Sequence, residues 1–149
     1  MGEYEEYQLA ERQAMERTIE LLSKGLLRES KEELDYIGIA AYLHNLYGGV
    51  ENILKHILRH CGIRIAPSDS WHKQLLMAAI NQGIVSESLA DQLRDYLKFR
   101  HFFIHGYGFM LESELLIPLA EKAEVVFRQF FKEIELYVFR KGEDYGKDN

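Results

Sequence analysis

SESLADQLRDYLKFRHFFIHGYG, residues 86–108, carries the period that decides the fold. At about 100° per residue, Leu89, Leu93, Tyr96, Leu97, Phe103 and Ile104 share one arc roughly 120° wide, the mark of an amphipathic helix. Ser86 is placed to cap that helix, and Gly106 and Gly108 to stop it. Arg100 falls near the middle of the apolar arc. A guanidinium keeps its charge, so burying it unpaired is expensive. Two readings follow. Either a buried carboxylate meets it, with Glu51 the candidate, or this part of the arc faces a cleft. Arg94, Lys98, His101 and His105 follow at spacings of four, three and four, and form a cationic strip on a neighbouring arc.

The same periodicity extends in both directions. Residues 3–28 read as a first helix with a broken stripe of Leu9, Ala10, Ala14, Ile19, Leu22, Leu26 and Leu27. Ser30-Lys31-Glu32-Glu33 reads as a capping box. It opens a second helix over 31–61, with Leu34, Ile37, Ala41, Tyr47, Val50, Leu54, Ile57 and Leu58 in helical rhythm. Gly48-Gly49 lies in its middle. Two glycines there cost about 1 kcal/mol each relative to alanine, so they imply a kink or the close approach of another backbone. Gly62 and Pro67 mark a loop. Asp69 or Ser70 caps a short third helix over 71–82, closed by Gly83. A fifth helix begins at Ser113 or Glu114, with Pro118 in its first turn or at its true start, and runs to about Arg140. No stretch reads as a strand. The expectation is an all-α, up-and-down helical bundle with four long helices and one short one, forming a single domain over 1–141 with a polar, frayed tail over 142–149.

At 149 residues, 47% of them apolar and 28% charged, the chain is long enough for a real core and has an ordinary globular balance. A single cysteine, Cys61, excludes an internal disulfide framework and suits a reducing, cytoplasmic setting. No apolar run approaches the roughly 20 residues of a membrane span, and the acidic start lacks a signal pattern. A formal net charge of −6 argues against diffuse nucleic-acid binding and gives no reason to expect DNA as a partner. Any RNA contact must be local, and the strip of Arg94, Lys98, His101 and His105 is where it would lie.

The central stretch has the residue types for breaking an RNA phosphodiester. That reaction needs a base for the 2′-hydroxyl, an acid for the leaving oxygen and a cation on the phosphate. Histidine suits the proton transfers, and the arginine fork matches two phosphate oxygens. Arg100 and His105 are five residues apart, however, and an unbroken helix splays them by roughly 140°. They converge only if the helix unwinds near Gly106 or a second subunit completes the site.

Structural roles compete for each residue. His105 before a glycine could cap carbonyls at a helix end, and His101 could complement the dipole there. Tyr107 could be an amphipathic tyrosine at a bundle end. His56 and His60, four apart, could be half of a metal site or merely an exposed pair; no metal is expected. His44, Asn45 and Tyr47 are placed where they could line the cleft. Trp71-His72, opening a helix, reads as a core anchor.

Arg100-His101-Phe102-Phe103-Ile104-His105 resembles the Arg, four to six residues, His signature of the HEPN superfamily. With Gly106-Tyr107 it becomes Arg-x4-His-x-Tyr, similar to the HepT branch of ribonuclease toxins. The stretches Ala41–Gly48 through Glu51 and Ser70–Leu76 are also similar to HepT-type chains, so the resemblance spans most of residues 30–135. It implies a homodimeric, metal-independent endoribonuclease needing no cofactor, with Arg100 on the scissile phosphate, His105 as general acid or base and His101 assisting. It also implies a partner, a minimal nucleotidyltransferase antitoxin, that attaches AMP to Tyr107. A rival reading of the same residues is a non-catalytic, nucleotide-binding helical partner of a nucleotidyltransferase.

Overall fold

Residues 33–60 explain the architecture, because they carry a broad, continuous apolar face. Ile39, Leu43, Leu46, Val50, Leu54 and Ile57 are all buried. A helix with so broad an apolar face is covered by neighbours on more than one side. The computed structural model describes residues 3–104 and 113–147, and these are all-helical. The elements are α1 (Glu3–Leu26), α2 (Glu33–His60), α3 (Trp71–Asn81), α4 (Glu87–Ile104) and α5 (Ser113–Lys147). Four are long, with 24, 28, 18 and 35 residues, and α3 has 11. α2 packs against each of the other four. Each fully buried leucine or isoleucine along it contributes about 1.5–3 kcal/mol.

At Gly49 what comes close is a side chain, not the other backbone expected of the glycine pair. A Cβ there would lie 2.6 Å from Cγ and Sδ of Met15 on α1, whereas one on Gly48 meets nothing within 4 Å. α2 continues through both as one helix. Its cap sits two residues later than expected. The Asp35 carboxylate accepts the Glu32 backbone N–H at 2.9 Å, so Glu32 takes the role assigned to Ser30.

Both ends of the α3 region are set by glycine. Gly62 (φ +80°) follows α2, and Gly83 (φ +73°) follows α3. After α2, Gly62 N–H bonds to Arg59 O at 3.0 Å and Ile63 N–H to Leu58 O at 2.8 Å. After α3, Gly83 N–H bonds to Ile80 O at 3.0 Å and Ile84 N–H to Ala79 O at 2.9 Å. These are two complete Schellman turns, each needing a left-handed residue that only glycine supplies cheaply.

Three stretches depart from the periodic reading. The buried face of α1 is Met15, Ile19 and Leu22, at spacings of four and three, while Leu9, Ala10 and Ala14 lie on exposed arcs. Leu34 and Ile37 are exposed. α5 runs through Gly142 to Lys147, past Arg140, and Pro118 lies in its second turn rather than its first. The helix stop assigned to Gly106 and Gly108 lies outside the described residues.

Candidate active site on α2, α3 and α4

Three helices bring one charged cluster together. α2 supplies Glu51, which is 4% exposed and the one buried charged residue among those described. α4 supplies Arg100, and α3 supplies His72 from its first turn. Glu51 Oε2 lies 2.6 Å from His72 Nδ1. His72 Nε2 lies 3.1 Å from Arg100 Nη1. Arg100 Nε is 4.0 Å from Glu51 Oε1, an ion-pair distance but too long for a hydrogen bond.

These contacts assign the histidine tautomer. A guanidinium has donors only, so Nε2 of His72 must accept from Arg100. The proton then sits on Nδ1, which donates to Glu51. A doubly protonated ring would aim a second N–H at the guanidinium, against like charge. The cluster therefore holds one anion, one cation and a neutral imidazole between them. Burying the carboxylate is tolerable because both its oxygens face donors or positive charge.

Of the two sequence readings of Arg100, the carboxylate is found: Glu51 faces it, and the Arg100 side chain is 22% exposed. Its Nε–H is buried and finds no acceptor among the described residues. Near it on α2, the Tyr47 hydroxyl and His44 Nε2 are also buried with no partner among the described residues. Tyr47 is one turn before Glu51, and burial first, then the Glu51 charge, push its hydroxyl well above the usual tyrosine range. It stays protonated and able to donate. His44 is packed against Phe103 of α4, with ring centroids 5.1 Å apart. The α2–α4 seam thus holds unfilled polar atoms beside a cation, and buried unfilled atoms call for a physical explanation.

The remaining candidates are spread differently. Arg94 is turned to Asp91 on its own helix. Lys98 and His101 are exposed, with the His101 ring edge-on to Phe102 at 6.4 Å. Of the strip's described members, Arg94 is paired locally and Lys98 and His101 point to solvent, so they do not gather into one cluster. His105 and Tyr107 lie outside the described residues. His56 stacks on Tyr7 of α1, with centroids 4.1 Å apart. Among the described residues no group of three His, Cys, Asp or Glu side chains is placed to hold a metal. No helix among them is long and apolar enough to cross a membrane.

His72 is the residue that sequence reasoning misplaced. Trp71 does anchor the helix start, half-buried against the core with Lys55 Nζ 5.0 Å from its ring centroid. His72 instead joins the charged cluster. The available signal was Glu51 itself. A carboxylate on an otherwise apolar helix presents two oxygens, and one arginine filling one of them leaves a second donor to be found.

Comparison with known proteins follows this geometry. Residues 38–140, which include Glu51, His72 and Arg100, match the model of a family described as HepT-like protein. The chain also resembles a solved structure titled as a cytosolic protein of unknown function, YutE, from Bacillus subtilis. The TM-score is 0.64 at 18% identity, covering 87% of this chain and 92% of that one. At that identity the likeness speaks to fold alone. No curated protein matches. Since the family match covers well over half of the chain, including the helices that build the cluster, the protein belongs to the HepT-like family of the HEPN superfamily.

Proposed function

We propose that this chain is a metal-independent endoribonuclease of the HepT toxin type, acting as a homodimer. The observation that carries the reading is Arg100: a guanidinium anchored from behind by Glu51 and His72, with a buried N–H that finds no acceptor among the described residues. Such a group is held in place, and the exposed part of its side chain, 22% of it, can offer its charge to an oxyanion.

In the reaction proposed, the 2′-hydroxyl of RNA loses its proton to a base and attacks the adjacent phosphorus. The P–O5′ bond breaks, and the leaving oxygen takes a proton from an acid. The products are a 2′,3′-cyclic phosphate and a 5′-hydroxyl. Arg100 holds the non-bridging oxygens as charge builds on them. His105 acts as general acid or base, and its counterpart on a second subunit takes the other role. His101, exposed one residue after Arg100, assists at the phosphate. Glu51 and His72 are positioning residues that keep the fork aimed. Tyr107 is the control point. AMP placed on its hydroxyl by a minimal nucleotidyltransferase adds negative charge near the phosphate site and repels the substrate.

The test is cleavage of single-stranded RNA by purified protein in excess EDTA. The wild type should cut, leaving a cyclic phosphate end. His105→Ala should lose roughly 10²-fold or more in rate, as removal of a positioned proton-transfer group does. Undiminished cleavage by His105→Ala, or cleavage that EDTA abolishes, refutes the proposal.

A further inference from the structure

Outside the cluster, the feature with most to explain is a cleft of about 410 Å³ at the C-terminal end of α2. It exists because of Gly62. The Schellman turn there folds Ile63 back over Leu58, and the chain that follows becomes a wall facing Trp71. The floor is therefore apolar. Its rim is not: Lys55, Arg59 and Arg64 all line the cleft, and no acidic side chain does. None of the three is in an ion pair with a described residue. By contrast Arg12, Arg17, Arg28, Arg94 and Arg128 each have a carboxylate partner.

In a chain of formal net charge −6, three cations and no acidic side chain lining one cleft make a local basic patch. A helix C-terminus attracts positive charge, which accounts for Arg59 in the last turn. It does not account for Lys55 a turn earlier, or for Arg64 beyond the helix. The cleft also adjoins the cluster. Glu51, Lys55 and Arg59 follow at intervals of four along one face of α2, so about 12 Å of helix axis separates the first from the last. Trp71 lines the cleft, and its ring is edge-on to His72 at 4.8 Å. One wall is thus shared between the basic cleft and the residue that holds Arg100.

We propose that this cleft is a binding subsite for single-stranded RNA, seating the strand that flanks the phosphate held by Arg100. Arg59 and Arg64 take backbone phosphates. Lys55 and the Trp71 indole take the adjoining nucleotide, whose base lies against Leu58 and Ile63. Cations that track a backbone beside an aromatic and apolar surface for bases are the general means of holding single strands without sequence preference. The subsite supplies local positive charge that the Arg94–Lys98 strip does not gather. It deepens the ribonuclease reading and rests on it for the direction of the strand.

Fluorescence anisotropy with a short single-stranded RNA, methylated on every 2′-oxygen so that it cannot be cut, tests the subsite apart from catalysis. Arg59→Ala/Arg64→Ala should bind about tenfold more weakly than wild type at low salt. Its slope of log K against log salt should be shallower by roughly 1.4, about 0.7 for each phosphate that the variant no longer neutralises. Arg128→Ala, on α5, should bind as the wild type does. An unchanged affinity and slope in the double variant, no binding of the RNA by wild type, or equal affinity for an acidic peptide overturns the subsite. If instead the double variant loses binding while His105→Ala cleaves RNA undiminished, the subsite stands and the catalytic assignment fails.

Discussion

From Ser86 to Tyr96, α4 is made for stability. The Ser86 hydroxyl accepts the Leu89 N–H at 3.1 Å, and the backbone N–H and hydroxyl of Ser86 donate to the two Glu133 oxygens at 2.6 and 3.1 Å. Leu89, Ala90 and Leu93 are at most 1% exposed, and the Tyr96 hydroxyl donates to the Leu119 carbonyl at 2.7 Å. From Arg100 onward the same helix is built otherwise. Arg100 is held by charge and a histidine, Phe102 is 54% exposed, and His101 faces solvent. The first half satisfies its polar groups and fills its volume. The second leaves an arginine N–H buried and unbonded among the described residues. One helix thus serves as an anchored lever, fixed at one end so that its other end can hold a charged group at a set position.

That division is breakable at defined points. Leu93→Ala, in the anchored half, should cost about 2–5 kcal/mol through reduced burial and a cavity. At roughly 2–4 °C per kcal/mol for a chain of this size, calorimetry should show a large fall in Tm. RNA cleavage by the remaining folded protein should be little changed. An equal loss of activity per folded molecule would show that the two halves are not separable.

Glu51→Gln probes the other half. The amide is isosteric and can still accept from His72, but it removes the negative charge behind Arg100. Cleavage should fall about tenfold, mainly in kcat, since a poorly aimed fork weakens its hold on the transition state more than on the ground state. Tm should move by only a few degrees. An equal fall in cleavage with a collapse of Tm would make Glu51 a structural residue alone.

The smallest effect lies far from α4, where α1 meets α2, and sharpens the contrast by leaving activity alone. Burial, and then the charges of Arg59 and His60, lower the pKa of His56 below the ordinary histidine value. The sign follows directly. As pH falls through about 6.5 the unfolded chain takes up the proton before the folded one does, so stability is lost with acid. Urea unfolding between about pH 7 and pH 5 should show a smaller decline for His56→Gln than for wild type. Parallel declines would remove His56 from the account.

How much of this was legible in the residues differs along the chain for physical reasons. The helices and their number follow from period and from Gly62 and Gly83, because a left-handed turn leaves a local mark. The pairing of Arg100 with Glu51 was readable too, since a guanidinium on an apolar arc demands a counter-charge. The buried face of α1 was not. Leu9 and Met15 are equally apolar, and only the partner surface of α2, with Gly49 opened to receive Met15, selects between them. His72 was hidden for the same reason: its role depends on a carboxylate 21 residues earlier and an arginine 28 residues later. The basic cleft needed the Gly62 turn to bring Arg64 back beside Lys55 and Arg59, which no periodicity reveals.

The most direct measurement of the central claim is the RNA cleavage rate of Arg100→Lys, taken beside its melting temperature. Lysine keeps the positive charge near Glu51 but replaces the planar fork with a single ammonium. If the cluster exists to hold a fork on a phosphate, Arg100→Lys should melt within a few degrees of wild type and cleave roughly 10²-fold more slowly. Cleavage at the wild-type rate by this variant would contradict the account, because the charge alone would then suffice and the geometry around Arg100 would serve only the fold.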